Sequence, residues 1–162
     1  MVATPARAAP READLRDEQP MPTPLEWLEA SLAQRVALIR RGVPASWLRD
    51  TEAAMGFTRS ALCDLLGIKV STVNRKLHNK ALLSHDESER LMGLQRLLGE
   101  VQALLRDCGD GRPFDAGAWL ASWLLRPNQS LGGETPAAFM DTAEGREHVG
   151  RLIGAQRSGA YM

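Results

Sequence analysis

The chain has 162 residues, room for one domain or two small ones. Its 20 Lys/Arg balance 20 Asp/Glu, so no overall field draws it to nucleic acid, and any such surface must come from local clustering. No apolar run approaches the ~20 residues that cross a bilayer. The N-terminus lacks an apolar stretch of signal-peptide length, and the chain reads as cytoplasmic. Cys63 and Cys108 stand apart from each other, and His78, His85 and His148 are scattered. A zinc site needs a tighter set, so no metal is expected, and the cysteines read as small buried hydrophobes of a reducing compartment.

Residues 1–24 hold five of the nine prolines and few large apolar groups. Such a segment buries too little surface to offset its ordering entropy, and a disordered tail is expected. Thr23-Pro24 then supplies an N-cap and a residue suited to the first helical position. Leu25, Leu28, Leu32, Val36 and Ile39 recur at helical spacing, which predicts one helix ended by Gly42. Pro44 opens a second helix carrying Trp47, Leu48 and Thr51 to Met55, stopped by Gly56. Thr58 caps a short helix with Leu62, Leu65 and Leu66, Gly67-Ile68 turns the chain, and Val70 to His78 forms the next helix.

Ser84 and Glu87 form a capping box in which each side chain satisfies the other residue's backbone N–H. They open a long helix through Leu91, Leu94, Leu98, Val101 and Leu105. Gly109, Gly111 and Pro113 mark a turn, and Asp115 to Leu125 reads as a helix with Trp119 and Trp123 on one side. A loop follows with the Gly132-Gly133 pair. Thr135-Pro136 starts a short helix, and Thr142 or a close neighbour starts the last one, with Val149, Leu152 and Ile153 apolar. No segment has the alternating pattern of a half-buried strand. The expected fold is all-α.

Thr58 to Leu77 has the parts of a helix-turn-helix. Cys63 is small enough to let the second helix approach, and Gly67 supplies the turn. Leu62, Leu66, Ile68, Val73 and Leu77 fall where the two helices share a core. Lys69, Ser71, Thr72, Asn74, Arg75 and Lys76 remain outward. Between Gly56 and Lys80 stand five basic residues (Arg59, Lys69, Arg75, Lys76, Lys80) against one acid, Asp64. Cations neutralise phosphates, Asn can pair with adenine and Arg with guanine, and a recognition helix carries such groups into the major groove. Asn74 and Arg75 are the expected base contacts; Arg59, Lys76 and Lys80 are the expected phosphate contacts. A solvated helical hairpin with a basic surface is the plain alternative. Such motifs read paired half-sites as dimers, so a homodimer is expected. The long helix from His85 to Asp107 serves equally well as its seam or as ordinary core.

The stretch from Trp123 reads WLLRPNQSLGGETPAAFMDTAEGREHVGRLI. Pro127-Asn128 follows a Trp-Leu helix; Leu131-Gly132-Gly133, Pro136, and Thr142 with Gly145 follow at fixed spacing. Upstream stand Gly42-Val43-Pro44 and Gly56-Phe57-Thr58. This pattern, over roughly residues 25–159, resembles the Xre/MbcA/ParS antitoxins and their C-terminal toxin-binding domain. Elementary chemistry accounts for the loop in its own right. Asn128 can bond its own backbone, Gly132 and Gly133 permit positive φ or a close approach, and Thr135-Pro136 begins a helix. These residues can serve the loop alone or touch a partner as well.

Composition sets off the tail at 1–24, and the resemblance implies a helix-turn-helix DNA-binding and dimerisation domain at 25–112 and a toxin-binding domain at 113–162. It implies a RES-domain toxin as partner, one that consumes NAD or transfers ADP-ribose from it, together with repression of the chain's own operon. It implies that the last helix and Arg157, Ser158, Gly159, Ala160, Tyr161 and Met162 block the toxin's active-site cleft. A frayed terminus is the plain alternative for those six residues. The last helix carries Gly150, Gly154 and Arg157 and is less aliphatic than the family pattern suggests. No nucleophile–base set, metal cluster or phosphate loop is present, so neither catalysis nor a cofactor is expected. A stand-alone regulator whose C-terminal part senses a small molecule or oligomerises is the competing reading.

Overall fold

A computed structural model describes residues 19–107 and 114–157. Among them the chain forms eight α-helices: α1 (Pro24–Glu29), α2 (Leu32–Arg41), α3 (Ser46–Met55), α4 (Arg59–Leu66), α5 (Val70–His78), α6 (His85–Asp107), α7 (Ala116–Leu124) and α8 (Ala143–Arg157). Two 3-10 turns, Gln129–Leu131 and Pro136–Phe139, connect α7 to α8. The described β structure is one isolated bridge, Pro44 to Leu82. The all-α expectation holds.

The first predicted helix is two. Thr23 and Glu26 form one capping box, with Thr23 N–H donating to the Glu26 carboxylate (2.7 Å) and Glu26 N–H to Thr23 Oγ1 (3.2 Å). Ser31 and Gln34 form another (2.9 and 3.2 Å). Ala30 between them is extended (φ −61°, ψ 143°). Each box satisfies N–H groups that only a helix start leaves free, so Ser31 begins a second helix inside the leucine repeat. α1 buries Trp27, whose Nε1 donates to Met92 O (2.9 Å). α2 buries no residue, and its Leu32 is 70% exposed.

Order also begins before Pro24. Trp47 Nε1 donates to the Gln19 carbonyl (2.9 Å), Arg41 to the Gln19 side chain (3.1 Å), and Met21 packs on the core. The expected disorder therefore does not hold at Gln19 and Met21; residues 1–18 lie outside the described residues.

α6 is the spine. Its Leu91, Met92, Leu94, Leu98 and Val101 are buried, and α1, α2, α4, α7 and α8 pack around it. Gln95, buried among them, donates to Thr51 Oγ1 on α3 (2.8 Å), which donates to Trp47 O (2.8 Å). The buried stretch Val43 to Ala45 is stitched to the segment before α6: Leu83 N–H donates to Val43 O (2.8 Å) and Ala45 N–H to Ala81 O (3.1 Å). This clamp closes the chain on both sides of α4 and α5, fixing them as a unit against α6.

Candidate DNA-binding and partner-binding surfaces

Thr58 caps α4 by accepting from Ala61 N–H (3.2 Å). Gly67 ends it in the left-handed conformation (φ 63°), and Ile68 N–H returns to Cys63 O (2.9 Å). Leu62, Cys63, Leu66, Ile68 and Val73 are buried between α4, α5 and α6, with Leu77 half-buried. Burial also pushes the Cys63 thiol above its ordinary value. Cys108 lies outside the described residues. Arg90 on α6 donates to the carbonyls of Leu66 (3.2 Å) and Gly67 (2.7 Å), the exposed end of α4. Those carbonyls have no partner within their helix, so the spine caps the turn.

Of the residues expected to meet DNA, Lys69, Ser71, Asn74, Arg75 and Lys80 are exposed and Thr72 is half-buried. Arg59 and Lys76 are differently placed. Arg59 Nε and Nη2 bind the Glu52 carboxylate (2.8 and 3.2 Å), and Nη1 donates to Asn74 Oδ1 (3.0 Å). The Glu52 bond raises the Arg59 pKa. Lys76 pairs with Glu87. Burial works to raise the Glu87 carboxyl, but bonds from Lys76 and Ser84 outweigh it and hold the group below its ordinary value. Two of the expected phosphate contacts thus already have internal carboxylate partners. Glu52 escaped sequence reasoning because it precedes the motif and meets Arg59 only through the α3–α4 corner.

In the C-terminal half, Asp115 caps α7 by accepting from Ala118 N–H (2.9 Å). Trp119 and Trp123 stack (centroids 6.1 Å apart, planes at 15°), and Phe114 leans on Trp119 at 6.4 Å. Asn128 organises the following loop. Its side chain accepts from Ser130 N–H (2.9 Å), its carbonyl from Leu131 and Gly133 N–H (3.0 Å each), and its own N–H donates to Glu134 O (2.9 Å). Gly132 and Gly133 have φ of 67° and 90° and no atom crowding a would-be Cβ. They are there for backbone conformation, not close approach. Leu131 and Thr135 are half-buried; Pro136 is buried and leads its 3-10 turn.

Thr142 Oγ1 accepts from Gly145 N–H at the start of α8 (3.1 Å). α8 buries Val149, Leu152 and Ile153 against the core. Arg146 is 8% exposed; it donates to Met140 O (3.0 Å) and faces Glu89 at 3.6 Å. Burial lowers its pKa from the ordinary value, against the pull of Glu89. Nothing in the local sequence separates this buried arginine from surface ones. A groove of about 770 Å³ opens between α1, α2, α6 and α8, lined by Leu32, Val36, Met92, Arg96, Arg151 and Gly154 among others. Arg157 is the last residue of α8; Ser158, Gly159, Ala160, Tyr161 and Met162 lie outside the described residues. Among the described residues no helix is long and apolar enough to cross a membrane. Nor do any three His, Cys, Asp or Glu of that set gather to hold a metal.

The two halves touch at the turn of the motif. A Cβ at Gly67 would lie 2.9 Å from Asp141 Cβ and 3.0 Å from Arg90 Nη1, so the segment leading into α8 rests on the glycine that turns α4 into α5.

Comparison with known proteins agrees with this geometry. Residues 34–96 match the antitoxin Xre-like helix-turn-helix domain, and residues 101–159 match the antitoxin Xre/MbcA/ParS C-terminal toxin-binding domain. The interval between the two falls inside α6. A "Prs ADP-ribosylating antitoxin" from a Sphingobium species is 39% identical over 132 residues, covering 82% of this chain and 83% of the relative. "Antitoxin Xre" from Photorhabdus laumondii is 25% identical over 118 residues, 73% of this chain and 74% of the relative. The fold is similar to a chain in the crystal structure of the M. tuberculosis MbcT-MbcA toxin-antitoxin complex, with a TM-score of 0.50 and 21% identity over 73% of this chain and 96% of that one. Neither matched domain belongs to a catalytic family, and the competing stand-alone regulator is set aside. The chain belongs to the Xre/MbcA/ParS family of antitoxins, with a helix-turn-helix and a toxin-binding domain built on one shared helical spine.

Proposed function

We propose that this antitoxin silences a RES-type, NAD-consuming toxin by covering its active-site cleft with the C-terminal domain, and that as a homodimer it represses its own operon through α4 and α5. The observation that carries this reading is the pairing of two matched domains, one of helix-turn-helix type and one of toxin-binding type, on a single chain. The name of the Sphingobium relative couples an antitoxin to ADP-ribosylation of Prs, a chemistry of the kind the resemblance implies for such toxins.

In this reading Lys69, Ser71, Thr72, Asn74, Arg75 and Lys80 face operator DNA, with Asn74 and Arg75 toward base edges. The ion pairs of Arg59 and Lys76 brace that surface, and their carboxylate partners offset the charge the two residues would bring to it. Arg157 and the five residues after it enter the toxin's cleft, where the flat ring and hydroxyl of Tyr161 suit a site shaped for a nucleotide. Asn128, Leu131, Gly132, Gly133, Thr135 and Pro136 hold the loop that sets α8 in place. The protein acts in the cytoplasm, where operator and toxin are both found.

Truncation after Ser158 tests the cleft-covering step. The shortened chain is expected to lose rescue of growth when co-expressed with its toxin, while its gel-shift affinity for the operator stays that of the full chain. Rescue that survives the truncation refutes occlusion by the tail.

A further inference from the structure

Arginine has five N–H donors and no acceptor, so whatever it bonds must present an acceptor atom. Arg59 places Nε and Nη2 on the two carboxylate oxygens of Glu52 and Nη1 on Asn74, at 3.0 Å. The three residues come from α3, the start of α4, and the exposed side of α5. The Glu52 side chain is 15% exposed and that of Arg59 32%, so solvent screens the pair less than it would a fully exposed one. Two parallel bonds to a carboxylate fix the plane of a guanidinium. Glu52 thereby sets where Nη1 points. It also offsets the Arg59 charge, which weakens any attraction of that residue for phosphate.

The consequence for Asn74 is chemical. The atom facing Arg59 has to be Oδ1, because Nδ2 is a donor. Nδ2 keeps its two hydrogens for other acceptors. A free asparagine reads adenine with both atoms, accepting from N6 and donating to N7. With one of the two Oδ1 lone pairs taken and that oxygen held toward Arg59, Asn74 offers the groove its donor first. Guanine presents two neighbouring acceptors, O6 and N7, whereas adenine sets an amino donor where guanine has O6.

We infer that Arg59 is a positioning residue for sequence preference: the Glu52–Arg59–Asn74 relay presents Asn74 as a donor, so that α5 selects guanine where an unbraced asparagine would select adenine. The inference rests on the reading of α5 as the DNA-facing helix.

Selection from a random duplex pool with the full chain tests it. Wild type, Asn74→Ala, Arg59→Ala, Arg59→Lys and Glu52→Gln are compared, with thermal unfolding by circular dichroism as the check on folding. Asn74→Ala marks the base pair whose preference disappears. At that pair wild type is expected to favour guanine over adenine by roughly tenfold. Arg59→Ala, and Arg59→Lys, which keeps the charge without the fork, are expected to lose or reverse that preference and leave other positions intact. Glu52→Gln should shift it in the same direction. If Arg59 instead met phosphate, Glu52→Gln and Arg59→Lys would both keep the preference at that pair; either result overturns the relay. So does a wild-type preference for adenine at that pair. A wild-type chain that enriches no sequence overturns the DNA-binding reading itself, and the relay with it.

Discussion

Replacing Gly145 by alanine should destabilise this chain, although alanine is the better helix former. In a helix interior alanine gains roughly 0.5–1 kcal/mol over glycine, so an unobstructed site would become more stable. Gly145 is obstructed. A Cβ built there lies 1.9 Å from the Phe139 carbonyl oxygen and 2.9 Å from Phe139 Cβ. The oxygen belongs to the backbone and cannot swing aside as a side chain would. Ordinary carbon–oxygen contact needs about 3.3 Å, so α8 would have to withdraw by roughly 1.4 Å from the turn that seats it. Overpacking of this kind costs about 1–3 kcal/mol. For a chain of this size each kcal/mol moves Tm by roughly 2–4 °C, so a fall of about 4–8 °C is expected for a 2 kcal/mol loss. Gly154 is the control within the same helix: no atom lies within 4 Å of its would-be Cβ. Gly154→Ala should raise Tm by a degree or more. Thermal unfolding of both variants, paired with toxin rescue, decides the matter. A Gly145→Ala chain as stable as wild type would refute the close seating of α8 on Phe139, and with it the physical reason for the Thr142-x-x-Gly145 pattern.

Two further outcomes follow from charge. The Glu87 carboxyl is held below its ordinary value in the fold, so it contributes stability above the unfolded carboxylate value and loses it as pH falls through the folded one. In urea unfolding, the gap between wild type and Glu87→Gln should be full near neutrality and close on acidification; a gap that widens in acid would contradict the Lys76 pairing. Arg75 is exposed, and Arg75→Ala should weaken operator binding and, if it also meets a phosphate, flatten its salt dependence by about one ion. Unchanged gel-shift affinity would remove Arg75 from the DNA-facing surface.

What was legible in the sequence was local. Thr58, Gly67, the Ser84–Glu87 box and Asn128 act on backbone groups within a few residues, and the structure finds each bonded or shaped as its chemistry requires. Ser31 and Gln34 were equally local but lay under a leucine repeat. The repeat suggested one helix because the break at Ala30 leaves Leu28 and Leu32 at helical spacing. Contacts between distant residues were not legible. Arg59 looked like a phosphate contact because Glu52 meets it only once α3 and α4 are folded. Arg90 carries no local sign of its role, which is to cap α4 from 23 and 24 residues away. Arg146 carries none either, and it is buried against Met140 and Glu89. A solitary charged residue in a helical stretch gives no sign of which face it takes until the packing of the other helices is known.

Co-expression with the neighbouring gene of the same operon bears most directly on the central claim. A tag on this chain should retain a RES-domain protein through size exclusion, the pair should leave growth unharmed, and the retained complex should shift the operon's own promoter. A chain that elutes alone, leaves its neighbour toxic and passes its promoter by would contradict the account.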